Sequence, residues 1–260
     1  MIKRVRSLAG ELWLPVAIIA VWWVISAGST SIYYPSLSKI FRTLKADWWF
    51  GTATSDLAPS LEQFALGFLC SVVIGVAVGL YLGTHDLAWE IVRPAVELAR
   101  ACPPIVLVPL IIGIFGIQSS GKIVLIVLGA VWPVLLNTLD GIRGVDAQLL
   151  DLASSYRISR RDRTLRIVLP AAAPQIMVGV RLSAAISLIM VVASELFAST
   201  SGIGFYILQS EQTFHVTETW AGTIVLGILG YLLSVGTRSV ERRTLSWHSA
   251  MRETATDARA

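Results

Sequence analysis

Long stretches without a charged residue divide this sequence into apolar segments. Charge is absent between Glu11 and Lys39, Glu62 and Asp86, Arg100 and Lys122, Lys122 and Asp140, and Glu218 and Arg238. The stretch 182–210 contains a single charged residue, Glu195. A bilayer core about 30 Å thick requires about 20 apolar residues of helix. The pattern therefore predicts six transmembrane helices, near 12–29, 63–83, 101–117, 123–139, 182–198 and 219–237.

Prolines interrupt two of these segments. Pro103, Pro104 and Pro109 fall in the third, and Pro133 falls in the fourth. Proline removes a backbone donor and clashes with the preceding turn, so the third helix is expected to be irregular. Within a bundle, neighbouring groups can satisfy the carbonyls that proline leaves free.

The composition excludes an ordinary soluble protein. The chain has 260 residues, of which 55% are hydrophobic and 15% are charged, whereas soluble domains carry about 25% charged residues. A single soluble core stops growing near this length and could not bury so much apolar surface. Cys70 and Cys102 lie in apolar stretches and are interpreted as small buried hydrophobes, not as a disulfide. The sequence thus predicts an all-α integral membrane protein.

Lysine and arginine predict the orientation of the chain. With the N-terminus inside, 17 of the 21 basic residues are cytoplasmic, and four lie outside: Lys39, Arg42, Lys45 and Lys122. This bias follows the positive-inside rule, so both termini are expected in the cytoplasm of a bacterial cell. Residues 1–11 form the predicted N-terminal segment, 12–238 the transmembrane domain and 239–260 a cytoplasmic tail. No basic stripe with interleaved aromatics occurs, so nucleic acid is not an expected partner.

Two intramembrane features each allow two interpretations. Glu195 is costly at membrane depth, by about 3 kcal/mol, and is either a gate or pathway residue or a paired or hydrated acid near the outer interface. Small residues recur at every fourth position of the second predicted helix: Gly67, Ser71, Gly75, Gly79 and Gly83. Such a stripe allows close helix approach, which predicts either a subunit contact or packing within the chain.

The residues 116–122 match the first seven positions of a phosphate-binding P-loop. The eighth position should be Ser or Thr to hold magnesium, but it is Ile123, and the segment joins two predicted membrane helices on the outer face. We interpret the match as accidental. No His/Cys cluster has metal-ligand spacing. The chain is therefore not expected to be an enzyme, or to hold a metal or a cofactor of its own.

The longest predicted inner segment is the loop 140–181, between helices four and five. Leu149, Ala153 and Tyr156 share one helical face, and Leu165, Val168 and Leu169 form a second apolar patch. Two short amphipathic helices joined by a polar elbow fit this pattern. Such a loop is suited to docking on a cytoplasmic partner.

Part of this loop resembles a signature of the permease subunits of binding-protein-dependent ABC importers. The signature is Glu-Ala-Ala, three residues, Gly, nine residues and Ile-x-Leu-Pro. Asp151-Leu152-Ala153 stands at its start, and Ile167, Leu169 and Pro170 stand at its end. Asp151 replaces Glu, and Arg157 replaces Gly. A residue other than glycine does not easily take a positive φ, so Arg157 predicts a differently shaped elbow if the turn requires one.

Further motifs are similar to the sulfonate, taurine and nitrate branch of that family. They include Tyr34-Pro35-Ser36, Arg100-Ala101-Cys102-Pro103-Pro104, Trp132-Pro133-Val134-Leu135-Leu136-Asn137-Thr138 and Gly202-Ile203-Gly204-Phe205. Glu195 also matches a position where that branch carries Glu. These motifs follow the family's order along nearly the whole chain.

The resemblance implies an assembly of several subunits with different roles. Two permease chains form the pathway, two cytoplasmic ATPases bind ATP and magnesium, and an extracytoplasmic protein delivers the solute, a small anion such as a sulfonate, taurine or nitrate. The implied ATPase-coupling residues are Asp151, Ala153, Arg157, Ile167, Leu169 and Pro170. The candidate pathway or gate residues are Glu195, Arg100 and Asn137.

A self-sufficient secondary transporter or channel is the alternative. It predicts internal repeats and intramembrane ionisable residues for ion coupling. Glu195 is a single such residue in 182–210, and no duplicated segment is found. The sequence leaves open which solute is carried, and whether the second permease is a copy of this chain or a homologue.

Overall fold

A computed structural model describes residues 2–49, 53–197 and 199–245. The described residues form α-helices joined by short turns, without strands. The helices are α1 (Ile2–Ser26), α2 (Leu37–Leu44), α3 (Ala53–Thr84), α4 (Asp86–Ala101), α5 (Val108–Phe115), α6 (Ser119–Arg143), α7 (Ala147–Ser155), α8 (Arg160–Arg163), α9 (Leu169–Phe197), α10 (Ile203–Gln212) and α11 (Val216–Thr244). Wider π-helical turns at Lys45–Trp49 and Thr164–Val168 follow α2 and α8, and a 3₁₀ turn at Pro104–Leu107 precedes α5.

Helix α6 is the centre of the bundle and packs along both α3 and α9. The stripe of small residues on α3 faces α6. A Cβ added at Gly67 would lie 2.6 Å from Ile126, and one at Gly75 would lie 2.6 Å from Val134. Glycine therefore allows the two backbones to approach closely. Of the two interpretations of the stripe, packing within the chain is the correct one.

The prediction of a third continuous transmembrane helix is wrong. The segment 101–117 instead contains a break, with Asp86–Ala101 and Pro104–Phe115 meeting at a bend of 83°. Cys102 and Pro103 have extended backbone at the break. A proline pair cannot continue the hydrogen bonding of α4, because proline has no N–H and disfavours helix in the residue before it.

The other predicted spans correspond to longer helices. In the described residues four helices are long and apolar enough to cross a membrane, and the bent pair makes a fifth. The apolar part of α1, Val16–Ser26, is shorter than these spans. The four or five spans are roughly consistent with the prediction of about six. Helix α9 begins at Leu169, so the inner loop predicted as 140–181 is shorter and connects α6 to α9 through 144–168. Met1 and 246–260, and with them most of the predicted tail, lie outside the described residues.

The two cysteines are free, as predicted, but they are not buried. Cys70 and Cys102 are both exposed on the surface of the chain. The expectation of buried thiols was wrong because apolar stretches of a membrane protein also form its outer surface, where an apolar residue need not be inside the bundle.

Candidate functional site

The connection 144–168 folds into two helical pieces at a sharp elbow, the residues 156–159. Asp146 caps the start of helix α7: its carboxylate accepts a hydrogen bond of 2.8 Å from the Gln148 N–H. At its other end the Ile158 N–H donates to the Ala153 carbonyl at 3.1 Å, and the Arg157 N–H donates to the Ser154 carbonyl at 2.9 Å. This pair of bonds is a Schellman motif, which ends a helix with a left-handed residue.

Arg157 is the left-handed residue of that motif. Its φ is 53°, a backbone conformation in which glycine is the unstrained choice. Arg157 therefore takes a positive φ at the position where the family signature has Gly, although a residue with a Cβ does not easily do so. The cost for a residue with a Cβ is about 1–2 kcal/mol, and the two capping hydrogen bonds offset part of it.

One face of α7 is held by the chain and the other is free. Ala153 is buried, and Leu150 packs against an apolar cluster of Ile142, Val168, Ala172 and Ile176. Leu149, Leu152 and Tyr156 point away from this cluster, and 58% of Leu152 and 75% of Tyr156 are exposed. The predicted shared face of Leu149, Ala153 and Tyr156 is thus divided between the inside and the outside of the chain.

The remaining predicted coupling residues lie on both sides of the elbow. Asp151 is exposed on α7, and its backbone carbonyl accepts a hydrogen bond from the Ser155 hydroxyl. Ile167 lies in the π-helical turn, and Leu169 and Pro170 begin α9, each half-buried. Leu169 packs against the same cluster as Leu150. The structure therefore brings the two ends of the signature onto one support.

Helix α8 continues through the π-helical turn Thr164–Val168 into α9. Ser159 caps α8 by accepting from the Asp162 N–H at 3.1 Å, and its hydroxyl donates to the Asp162 carboxylate at 2.7 Å. From Arg160 the helical path continues through the π-helical turn to Phe197, a length of 38 residues. One continuous helical path therefore connects the elbow to the far end of α9.

Glu195 lies near that far end, in a cluster of hydrogen bonds. It is 1% exposed, and its two carboxylate oxygens accept from the Ser60 hydroxyl at 2.6 Å and from the Gly204 N–H at 2.8 Å. The Ser60 oxygen also accepts from the Ile203 N–H at 2.9 Å. Ser60 and Glu195 together thus satisfy two donors at the start of α10, which a helix N-terminus otherwise leaves unpaired.

Neighbouring residues complete this polar cluster, which comprises Asp56, Ser60, Lys122, Glu195 and 202–204. Asp56 accepts from the Gly202 N–H at 2.9 Å. A Cβ on Gly202 would fall on the Glu195 carboxyl group, so glycine is required there, and its φ of 118° needs glycine as well. Lys122 interacts electrostatically with Glu195 and donates to Ser199 at 2.6 Å.

Of this cluster, sequence reasoning singled out Glu195 and the motif 202–205, and missed Asp56 and Ser60. Those two lie one turn apart at the start of α3, a spacing too common to mark a site. Lys122 belongs to the P-loop-like segment, which in the structure joins α5 to α6. Its ammonium donates a hydrogen bond to the Ser199 hydroxyl.

Helix α10 has a second attachment through Tyr206. The Tyr206 hydroxyl donates to the Asp47 carboxylate at 2.8 Å, and Trp48 packs edge-on against the Tyr206 ring at 5.3 Å between centroids. Burial, together with the hydrogen bond to Asp47, raises the pKa of the Tyr206 hydroxyl. Helix α10 is thus fastened to the turn after α2 as well as to α3 and α9.

The other two pathway candidates lie apart from this cluster. Arg100 donates to Glu97 at 2.8 Å just before the break at Cys102. Asn137 donates to the Pro133 carbonyl at 2.8 Å and accepts from the Gln175 amide at 2.8 Å, which links α6 to α9. The structure therefore does not gather Glu195, Arg100 and Asn137 into one site, and their pathway role stays a prediction.

Sequence comparisons agree with the resemblance drawn from the motifs. Residues 71–245 match the family described as the binding-protein-dependent transport system inner membrane component. The chain is 34% identical over 250 residues to a putative aliphatic sulfonates transport permease protein of Bacillus subtilis, covering 95% of this chain and 90% of that protein. It is 30% identical over 238 residues to the taurine transport system permease protein of Escherichia coli, covering 89% and 86%.

A more distant relative and a solved structure extend the comparison. The nitrate import permease protein of Leptolyngbya laminosa is 25% identical over 224 residues, covering 84% of this chain and 80% of that protein. A chain from an inward-facing structure of a methionine ABC transporter has the same fold, with a TM-score of 0.66 at 17% identity over 76% of this chain and 97% of that one. This chain belongs to the family of inner membrane components of binding-protein-dependent transport systems.

Proposed function

We propose that this chain is the permease subunit of an ABC importer that carries a small anion into the cell, with ATP hydrolysed on a partner subunit. The observation that carries the proposal is the exposed apolar face of α7 at a rigid elbow. An apolar surface that the chain does not cover marks a contact with another protein or with the membrane. The same loop carries the family signature, which favours a protein partner, the ATPase.

The geometry supports a mechanical role for α7. Ala153 and Leu150 hold its inner face, so Leu149, Leu152 and Tyr156 are presented as a fixed surface. Asp151 lies exposed on the same helix and supplies a charge for the contact. Because α8 and α9 form one helical path, a shift of α7 on ATP binding would tilt α9 and act on the polar cluster around Glu195. Nucleotide shifts such an equilibrium only by its different affinity for the two states.

The kind of solute is inferred from the relatives. Proteins named for aliphatic sulfonates, taurine and nitrate are similar to this chain over more than four-fifths of its length. Sulfonates and nitrate share a compact oxyanion, so we propose an oxyanion as the transported group. The proposed assembly has two permeases, two ATPases and an extracytoplasmic binding protein. We further propose that both termini and the loop 144–168 lie in the cytoplasm, because the excess of Lys and Arg in these segments fits the positive-inside rule.

The test is whether α7 binds the ATPase. Leu152→Glu, coexpressed with its ATPase and reconstituted, should lose copurification of that subunit and lose hydrolysis stimulated by the solute-loaded binding protein, because a carboxylate would be desolvated in an apolar contact. Leu87→Glu is the matched control. Leu87 is also an exposed leucine on a helix, and it follows Asp86, which pairs with Arg143 at the end of α6, but it lies outside the loop. A Leu152→Glu complex with normal subunit ratio and normal stimulation would rule out the proposed contact.

A further inference from the structure

A groove of about 270 Å³ runs between α9 and α11. Its walls are largely apolar, from Ala184, Leu188 and Leu233 among others. Its polar lining comes from Arg181 on α9 and from Ser234 and Thr237 on α11. Arg181 and Glu195 are the two charged side chains of α9, and Arg181 is the one that lines this groove.

Arg181 is incompletely paired. It lies on the helical path Arg160–Phe197, one residue before the predicted span 182–198, and a charged side chain at the end of a span usually faces the interface, a cavity or a water-filled path. Its contact is with Glu241 at 3.4 Å, and 45% of the Arg181 side chain is exposed. The other ion pairs of the described residues range from 2.8 Å for Arg100–Glu97 to 3.8 Å for Arg93–Glu97. Charge-assisted hydrogen bonds are normally about 2.7–2.9 Å long, so the bond to Glu241 is a weak one.

Donors are available in the groove beside that weak bond. A guanidinium has five N–H groups in a planar fork that matches the oxygens of an oxyanion. One of its nitrogens contacts Glu241, and within the described residues no further hydrogen bond of Arg181 is found. The Ser234 hydroxyl lies in the same groove, and the Thr237 hydroxyl donates to the Ser234 carbonyl at 3.0 Å. Arg181 and Ser234 can therefore donate to a bound group.

We propose that this groove is an oxyanion-binding site, in which Arg181 and Ser234 hold a sulfonate- or phosphate-like group and the apolar wall accommodates an attached hydrocarbon. Two sources supply such a group: the transported solute and the headgroup of an anionic lipid. Assigning the bound group to the transported solute rests on the proposed function. Binding of the oxyanion itself does not.

Binding is tested on the full-length chain in detergent, without ATPase or binding protein, so failure of the proposed coupling cannot affect the result. The midpoint of thermal unfolding is followed as sodium methanesulfonate replaces sodium chloride at constant ionic strength. A ligand that binds the folded chain raises this midpoint. In a parallel arm, short-chain phosphatidylglycerol is compared with phosphatidylcholine of the same chain length.

Three variants probe the groove. Arg181→Gln should weaken binding by about tenfold or more, because a hydrogen bond to a charged group is lost. Glu241→Gln should strengthen binding, because it releases the Arg181 guanidinium from its competing carboxylate. Arg238→Gln is the matched control: Arg238 is an exposed arginine on α11 that does not line the groove, and its loss should leave binding unchanged.

The outcomes separate the two sources. A shift with methanesulfonate that Arg181→Gln loses identifies a free anion. A shift with phosphatidylglycerol alone, lost in the same variant, identifies a lipid headgroup. No shift with either probe, or the same shift in wild type and Arg181→Gln, overturns the site. If Arg181→Gln does not fold, the Glu241→Gln variant is the test. If its affinity for the probe equals that of wild type, the proposed site is also overturned.

Discussion

Replacing Ser60 by alanine should release α10 from the bundle. The Ser60 hydroxyl donates to Glu195 at 2.6 Å and accepts from the Ile203 N–H at 2.9 Å. Alanine removes both bonds without changing the backbone. It leaves a backbone donor at the start of α10 unpaired in a buried position, and it removes one of the two hydrogen bonds on the Glu195 carboxylate.

The size of the effect follows from these two losses. A hydrogen bond to a charged group contributes about 1.5–3 kcal/mol, and a stranded buried donor costs about 1–3 kcal/mol. Since the remaining bond from the Gly204 N–H still holds Glu195, we expect a loss near the lower end of the sum, about 3 kcal/mol. At about 1.4 kcal/mol per factor of ten, local opening of α10 should become about 100-fold more frequent.

Hydrogen exchange of the amides in 203–212 measures this opening directly, because exchange reports local unfolding free energies. The matched control is Ser71→Ala on the same helix α3. Ser71 is equally buried, but its hydroxyl donates to the Gly67 carbonyl of its own helix at 2.7 Å. The reasoning is refuted if Ser60→Ala leaves the protection of α10 as it is in wild type, or if Ser71→Ala lowers it equally.

Three further substitutions test other parts of the structure. Arg157→Gly should raise the free energy of unfolding by about 1 kcal/mol, because glycine takes the φ of 53° without strain. A lower free energy of unfolding in chemical denaturation would contradict this. Gly75→Ala should lower the free energy of unfolding by about 1–3 kcal/mol, because the added Cβ would lie 2.6 Å from Val134 on α6. Gly113→Ala is the control and should not lower it, because the space around Gly113 is open. Tyr206→Phe should be less stable than wild type at neutral pH, and the difference in stability should shrink above pH 10.0. Burial and the hydrogen bond to Asp47 raise the pKa of Tyr206 in the folded chain, so at high pH the unfolded chain ionises first and wild type loses stability. A difference in thermal unfolding that does not change with pH would be inconsistent with this.

The elbow 156–159 shows which structural features the sequence motif predicts and which it does not. The signature located the turn at Arg157, and the apolar spacing predicted short helices on both sides. The backbone at Arg157 could not be read from its residue type, because the Schellman bonds to Ala153 and Ser154 hold a conformation that arginine alone disfavours. Likewise, the sequence placed Ala153 and Tyr156 on one face of α7, but only the position of α7 on the bundle buries one and exposes the other.

By itself the sequence determined the apolar helices, the basic loop 144–168 and the family signature, because the transfer of an apolar segment into a bilayer depends on local composition. Only the tertiary structure decided which residues the polar and the small side chains contact. Ser60 and Glu195 are 135 positions apart, and Arg181 and Glu241 are 60 apart. Which of them meet depends on where the helices cross, and those crossings are fixed by close packing at positions such as Gly75.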